Sequence, residues 1–412
     1  MQRVFDLPLT TLEARLKAAC GLPAYHAKSV WRAALRHGAT EFAHVTSLPK
    51  ASRAALAEAL RLRYATSQRA VSRDGTVKHL VSLPREEAAA APLTVESVLI
   101  PHERGRRHTL CVSSQAGCSL ACSFCATGAR GFSANLSAAD IVEQVLVCSA
   151  PGRAITNVVF MGQGEPLLNL RAVAQAAQVL TSPHGLALPP RRVTVSTSGI
   201  APAIPKLALA APGVRLALSL HAPDDALRSR LMGINDQYPL AAVFSSLREY
   251  VALRLRSVEG GEEGDGEKEE EEEEENEAGE GGKGREPPPG QRFNGTRRVR
   301  ISFEYLLLGG INDSPAQAAS LARLLTSWIP HARLHSHINL IPFNAWEGAP
   351  GSYCAPTPGA VDAFARILAS EGLSTTLRTP RGVDVKGACG QLEQAAKRAR
   401  FLLKGNVASY AR

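Results

Sequence analysis

Apolar positions in the first 75 residues recur at helical spacing. Leu12, Leu16 and Ala19 open the pattern, and 29–36 and 52–63 repeat it. This predicts a helical unit over 1–75, rich in Arg and Lys and poor in acids, which makes it a candidate RNA-contacting module. The period then shifts towards two, and 76–83 and 95–101 read as strands of an extension over 76–105, joined by the Ala-rich 86–91. From about 106 onward short apolar runs alternate with helical patterns. Strands are expected at 109–113, 157–161, 192–197, 214–220, 298–307 and 337–341, with helices at 138–147, 170–180 and 315–328. Ser137 suits the N-cap of the first of these helices. Such alternation predicts an α/β fold with a parallel sheet, and about six units suggest a partial, open (β/α)6 barrel. In barrels of this kind chemistry belongs at the carboxyl ends of the strands.

The barrel pattern breaks between its two parts, 106–257 and 297–380. Residues 258–296 are rich in Glu, Gly and Pro with almost no apolar side chains, so they cannot bury a core and read as a disordered insertion. A last strand to 379, a loop holding Cys389 and a basic helix over 391–404 complete the chain, with 381–412 forming its C-terminal segment.

Composition adds bounds. Among 412 residues, 45% are apolar and 21% charged, an ordinary globular balance. No apolar run reaches membrane-spanning length, the start lacks an apolar signal core, and eight cysteines, several clustered and none in a regular secreted framework, fit a reducing compartment. A monomer in the cytoplasm is the expectation, with an organelle left open and no membrane partner. The net charge changes the picture more. Residues 259–286 hold fifteen acids against three bases, a local balance of −12 within a total of +9, which leaves +21 for the remainder. A body that basic expects a polyanionic partner, most simply nucleic acid. Arg104, Arg106, Arg107, Arg130, Arg191, Arg192, Lys397 and Arg398 are candidate phosphate contacts.

The candidate chemistry centres on Cys118, Cys122 and Cys125, at C-x₃-C-x₂-C spacing. Three thiolates supply one ligand fewer than a cubane [4Fe-4S] cluster has irons, which leaves one iron open to a small molecule. A zinc knuckle is the alternative, but Cys111 and Cys148 lie too far along the chain to pair as a near fourth ligand. Gly162-Gln163-Gly164-Glu165-Pro166 follows the second barrel strand, where glycines permit close approach of backbone and Glu165 can accept from an ammonium group. Ser196, Ser219-Leu220-His221 and Asn339 close three further strands with short polar groups. Cys111 lies on the first barrel strand. Cys389 sits among small residues, where nearby Lys386 is expected to help depress its pKa. Cys20, Cys148 and Cys354 have no partners in the pattern, and packing is their default role.

Residues 111–118, 161–170, 191–199, 219–223, 310–313 and 388–392 together closely resemble the RlmN/Cfr family of radical S-adenosylmethionine (SAM) RNA adenine methyltransferases. The resemblance runs from near the start to about Leu392, broken only by the acidic insertion. Gln163 stands where the family usually has Met, Ala134 where Arg is common, and Val383 where an acid is frequent. What the resemblance implies is specific. Cys118, Cys122 and Cys125 would hold the [4Fe-4S] cluster, while Gly164, Glu165, Ser196, Ser219, Leu220, His221 and Asn339 would contact SAM. Two SAM molecules would be consumed per turnover: one methylates Cys389, and the other yields a 5′-deoxyadenosyl radical that takes hydrogen from that methyl. The resulting carbon radical would add to carbon 2 of an adenosine in large-subunit ribosomal RNA, and in tRNA. Cys111 would resolve the adduct as a Cys111–Cys389 disulfide, with Glu96, at the end of a pre-barrel strand, as proton acceptor. An electron-donor reductase is the further partner implied. Methylation at carbon 8, and a non-catalytic zinc-knuckle RNA-binding protein, are the alternatives.

Overall fold

The computed structural model describes residues 2–85, 92–102, 107–149, 155–259, 299–328 and 336–392. The acidic insertion after Glu259, the Ala-rich 86–91, the basic C-terminal helix, Arg104, Arg106, Lys397 and Arg398 lie outside these residues.

Among the described residues, ten strands form one sheet. In spatial order it runs from Ser374–Leu377 through Ser336–Pro342, Ile301–Leu307, Arg215–Ser219, Val193–Thr197, Asn157–Phe160 and His108–Cys111, all parallel. Leu93–Pro101, Val77–Leu83 and Thr66–Val71 extend it antiparallel. Among the described residues the two end strands do not pair with each other, so the barrel is open, as the alternation predicts. His108–Cys111 is the joint. It pairs parallel with the barrel on one side, where Cys111 meets Val159, and antiparallel with the extension on the other, where Cys111 meets Val98.

Helices return the chain between parallel strands and cover the sheet. Their starts are fixed locally: Ser137 and Asp140 form a capping box on Ala138–Cys148, and Ser314 with Gln317 does the same on Pro315–Ser327. Pro315 and Pro358 occupy first helical turns, where no amide hydrogen is missed. Alternation along the strands sends one set of side chains into the apolar core between sheet and helices, including Val195, Leu216, Phe303 and Ile338. The opposite set faces the concave lumen.

The N-terminal unit departs from its sequence reading in one respect. Leu9–Cys20, Tyr25–Arg36 and Lys50–Ala59 are helices, but Leu60–Arg61 pairs parallel with Gln2–Arg3, and Thr66–Val71 is a strand of the main sheet rather than part of a helical unit ending at 75. The turn 72–76, with Asp74-Gly75 at its tip and Gly75 at φ +82°, reverses the chain into Val77–Leu83. No helix among the described residues is long and apolar enough to cross a membrane.

Candidate active site

The lumen holds a cavity of about 1680 Å³, larger than a pocket for one small ligand. Its walls follow from period-two alternation: Thr109 and Cys111, Ser196, Ser219, Glu304 and Leu306, His337, Asn339 and Ile341, and Thr376 all point inward from their strands.

At one end lies the cysteine loop. Gln115–Gly117 and Phe132–Asn135 pair as a small antiparallel hairpin, and residues 118–131 loop between them with one helical turn, Ala126–Ala129. Gly117, at φ +76°, is required there: a Cβ would lie 2.0 Å from the Gly131 carbonyl oxygen. Cys118, Cys122 and Cys125 are unbridged and all three line the cavity. Burial pushes the Cys118 thiol up to about 11 and the Cys122 thiol higher still, with charge on neighbouring cysteines and Glu165 contributing to both. Three adjacent thiolates therefore need a cation to balance them. Three thiols on one short loop, all facing the same cavity, can each take a different iron of a cube, so the donor set fits the cluster.

Gly162–Pro166 packs against this loop, but its glycines make room for protein. A Cβ on Gly164, at φ +96°, would lie 2.5 Å from the Gln115 Cβ, and one on Gly162 would lie 2.7 Å from the Val112 carbonyl oxygen. The Gln115 amide oxygen accepts from the Glu165 N–H at 2.9 Å. Glu165 is buried, and its carboxylate accepts from the Leu167 N–H at 3.0 Å and the Ser198 N–H at 2.7 Å, tying this turn to the end of Val193–Thr197. Burial raises its pKa against those bonds. Ser196 and Ser219 hydroxyls stand 3.4 Å apart on adjacent strands.

His221 adopts φ +58° and accepts the Leu306 N–H at Nδ1 (2.9 Å), which fixes Nε2 as its protonated nitrogen. Its ring meets Phe124 edge-on at 4.9 Å. Leu220, by contrast, does not line the cavity. Its side chain is in the core, its N–H donates to the Glu304 carbonyl, and its own carbonyl accepts from Arg228.

Arg228 was not anticipated. Its side chain is fully buried, and the guanidinium donates to the carbonyls of Ser198 (2.7 Å), Ser219 (3.1 Å) and Leu220 (3.2 Å), and to Asn235 (2.9 Å), so it fixes the ends of two strands from behind. Glu304 and Arg378 were missed as well. Asn339 donates to one Glu304 oxygen at 2.8 Å and Arg378 to the other at 3.3 Å, with Arg378 also 3.7 Å from the Met161 sulfur. The available signal was a charged residue at an inward position of the mostly apolar Ile301–Leu307. Arg378 gives none, because it follows the last strand.

Cys111 and Cys389 both face this cavity and both feel the Arg378 charge. Burial pushes the Cys111 thiol up to about 12, with a contribution from Cys389, while Arg378 opposes it. Cys389 is likewise raised, chiefly by burial, with Arg378 again opposing. Cys389 is exposed and lines the cavity. The cation that offsets burial is thus Arg378 rather than Lys386, whose ammonium lies 3.7 Å from Glu347. The Cys389 loop is bonded directly to the cysteine loop: the Ala126 N–H donates to the Gly390 carbonyl at 2.9 Å, and Thr127 Oγ1 to the Leu392 carbonyl at 2.8 Å.

Glu96 differs from its sequence reading. It lies in the middle of Leu93–Pro101, fully buried, with the Lys78 ammonium 2.7 Å away. It shares a strand face with Val98 and Ile100, which line the cavity, but does not line it itself. Arg107 lines the cavity, whereas Arg130, Arg191 and Arg192 do not.

An open parallel barrel with three thiols at the carboxyl end of its first strand defines a radical SAM enzyme, and the radical SAM superfamily profile matches residues 112–258. A dual-specificity RNA methyltransferase RlmN from Phenylobacterium zucineum is 37% identical over 397 residues, 93% of this chain and 87% of that protein. One from Caulobacter vibrioides is 38% identical over 384 residues, 91% and 81% respectively. The crystal structure of a radical SAM methyltransferase from Sphaerobacter thermophilus superposes with a TM-score of 0.77 at 36% identity, covering 96% of this chain and all of that one. The chain belongs to the RlmN family of dual-specificity RNA methyltransferases. It is accordingly a methyltransferase that uses a [4Fe-4S] cluster and SAM.

Proposed function

We propose that this protein methylates carbon 2 of an adenosine in large-subunit ribosomal RNA and in tRNA, with Cys389 as methyl carrier and Cys111 as resolving thiol. The observation that supports it most is the bonding of the Cys389 loop to Ala126, the residue after Cys125, within a cavity that Cys111 also faces. Cys118, Cys122 and Cys125 would hold the cluster. Glu165, Ser196, Ser219, His221 and Asn339 are the groups that would orient SAM; Glu165 accepts, and His221 Nε2–H donates. When bound, cluster and SAM supply the radical chemistry that an electron-poor ring carbon requires.

The protein's own groups then do three things. The Cys389 sulfur takes up the methyl carbon and later carries it to the base. The Arg378 guanidinium offsets the burial that disfavours thiolates at Cys389 and Cys111. Attack of the Cys111 thiolate on the Cys389 sulfur forms an S–S bond as the carbon–sulfur bond breaks; that bond's electron pair stays with the carbon, which takes up a proton to become the methyl of the freed RNA. Glu96 remains the proposed acceptor of the ring proton; it faces Lys78 rather than the cavity, so the proton would have to reach it through a relay. The base must leave its stack to enter so deep a lumen, so a loop or extruded nucleotide is the expected substrate. An external electron donor completes the system.

The test is substitution with RNA, SAM and reductant present. Cys111→Ala should accumulate a covalent RNA–protein adduct, whereas Cys389→Ala should give neither adduct nor product. Liquid chromatography of the released nucleoside with mass spectrometry, against authentic 2-methyl- and 8-methyladenosine, separates carbon 2 from carbon 8. Free turnover by the Cys111→Ala protein would rule out the resolving role.

A further inference from the structure

The Cys389 loop is held from two sides. Its second half is bonded to the cysteine loop, as described, and the Gln391 amide also donates to the Ala345 carbonyl at 2.7 Å. Its first half, 382–386, rests on the turn 72–76 of the hairpin made by Thr66–Val71 and Val77–Leu83, and there the contacts are carboxylates. Asp74 accepts the Thr76 N–H with Oδ1 and the Gly382 N–H with Oδ2, both at 2.9 Å. Asp384 answers from the loop: Oδ1 accepts from Ser72 Oγ at 2.5 Å and Oδ2 from the Arg73 N–H at 3.2 Å. Lys78 adds a third tie, donating to the Lys386 carbonyl at 3.1 Å. Each segment thus sends an acid into the other's backbone.

The loop conformation needs such support. Gly382 and Lys386 both sit at positive φ, +67° and +54°, and a lysine disfavours that region unless its surroundings impose it. A Cβ on Gly382 would lie 2.8 Å from Thr76 Cγ2, so the fit is close as well as polar. Both acids are held below the usual carboxylate range by the N–H and O–H groups donated to them. Neither lines the cavity, so neither can touch a substrate there. Only Gly387 and Ala388 separate the held backbone of Lys386 from Cys389.

We propose that Asp74 and Asp384 form a latch that sets the station of Cys389 relative to the cysteine loop, and that both are positioning residues for methyl carriage. This rests on the reading of Cys389 as methyl carrier. A carrier sulfur must be presented to one partner and then another within a fraction of an ångström. A loop anchored at only one end would sample many positions instead.

The two acids differ in a way that makes the test specific. In Asp74→Asn one amide group must face an N–H donor with its own NH₂, because both oxygens of Asp74 accept; that contact becomes repulsive. In Asp384→Asn the oxygen can still accept from Arg73 while the NH₂ donates to the Ser72 hydroxyl oxygen, so the variant should behave nearly as the parent. Asp384→Ala removes both bonds.

The first readout is cleavage after exposed Lys386 by a lysine-specific protease, on cluster-loaded protein, with the cut site identified by mass spectrometry. Asp74→Asn and Asp384→Ala should raise that rate about tenfold or more while Asp384→Asn does not, because lost charge-assisted bonds shift a local opening equilibrium by about that factor. The second readout is the extent of methyl label on Cys389 in a single turnover, which should fall in the same order with SAM affinity unchanged. Thermal midpoints of all three variants separate local release from global unfolding. Unchanged cleavage in Asp384→Ala overturns the latch and leaves the carrier reading untouched. Parent protein that protects Lys386 yet never carries label on Cys389 overturns the carrier reading instead.

Discussion

Two buried histidines, His79 and His221, contribute to the response of stability to acid. His79 lies on Val77–Leu83 with its ring covered, 3.3 Å from the Ser67 hydroxyl, and burial together with Arg69 lowers its pKa from 6.5 to about 4. His221 is lowered further, to about 3, by burial and by Arg228. In the unfolded chain each ring takes its proton near pH 6.5, but in the folded protein only well below that. Between those values the unfolded state binds the extra protons, so stability rises with pH. The contribution is complete above about pH 6.5 and is lost as pH falls towards 4 for His79. Chemical denaturation at pH 7.5 and 4.5 should therefore show a loss, of which His79→Gln removes about 1 kcal/mol once solvent screening is allowed for. A His79→Gln protein with the parent's full pH dependence would mean that this ring is not the one resisting protonation.

At the scale of elements, the turn that follows the second parallel strand shows what reads through from sequence and what does not. The order Gly162, Gly164, Glu165 marks a special turn, and the structure supplies the reason: Gln115 and Val112 occupy the space a side chain would need. Gly164→Ala must displace Gln115, which braces both Glu165 and Asn135, and strain a backbone at φ +96°. A cost of about 2–4 kcal/mol follows, measurable as a lowered midpoint in denaturant, together with weakened SAM binding. Unaltered SAM affinity in a destabilised protein would separate the turn's packing role from any part in the site.

The strands of the parallel sheet were readable because each is a short apolar run between polar punctuation, and the cysteine spacing is visible without any fold. Thr66–Val71 was not readable as a core strand because its side chains are largely exposed and carry little alternation. The Asp74-Gly75 pair was the available sign of a hairpin. Leu220 and Glu96 were misplaced for a different reason: sequence shows that a residue ends or occupies a strand but not whether its side chain reaches the lumen. Arg228, Glu304 and Arg378 act through contacts between distant segments, and no local pattern announces those.

At the scale of the whole molecule, the N-terminal unit spends part of its positive charge on the barrel rather than on a partner. Arg3 lies 2.7 Å from Asp140, stacks on the Tyr64 ring at 4.4 Å, and donates to the Pro84 carbonyl. Tyr64 donates to the same Asp140 oxygen at 2.9 Å, and Arg63 faces Glu143 at 3.5 Å. Arg36 donates to the Pro183 and Gly185 carbonyls. Asp140 and Glu143 are fully buried on the first barrel helix and find partners in the N-terminal unit; burial raises the Glu143 pKa to about 7, with Arg63 opposing. Asp140 has a second task, since its other oxygen accepts the Ser137 N–H in the capping box. Asp140→Ala removes the carboxylate that Arg3 and Tyr64 share, and breaking a buried pair from one side costs about 3–5 kcal/mol. Asp140→Asn keeps an oxygen for the cap and should cost less. The loss should be regional: amides of Leu9–Cys20 and Tyr25–Arg36 should exchange with deuterium markedly faster in Asp140→Ala, while Val193–Thr197 and Arg215–Ser219 keep their protection. Equal loss of protection in both regions would mean that the helical unit and barrel unfold as one, and that the buried acids hold the whole fold rather than a docked module.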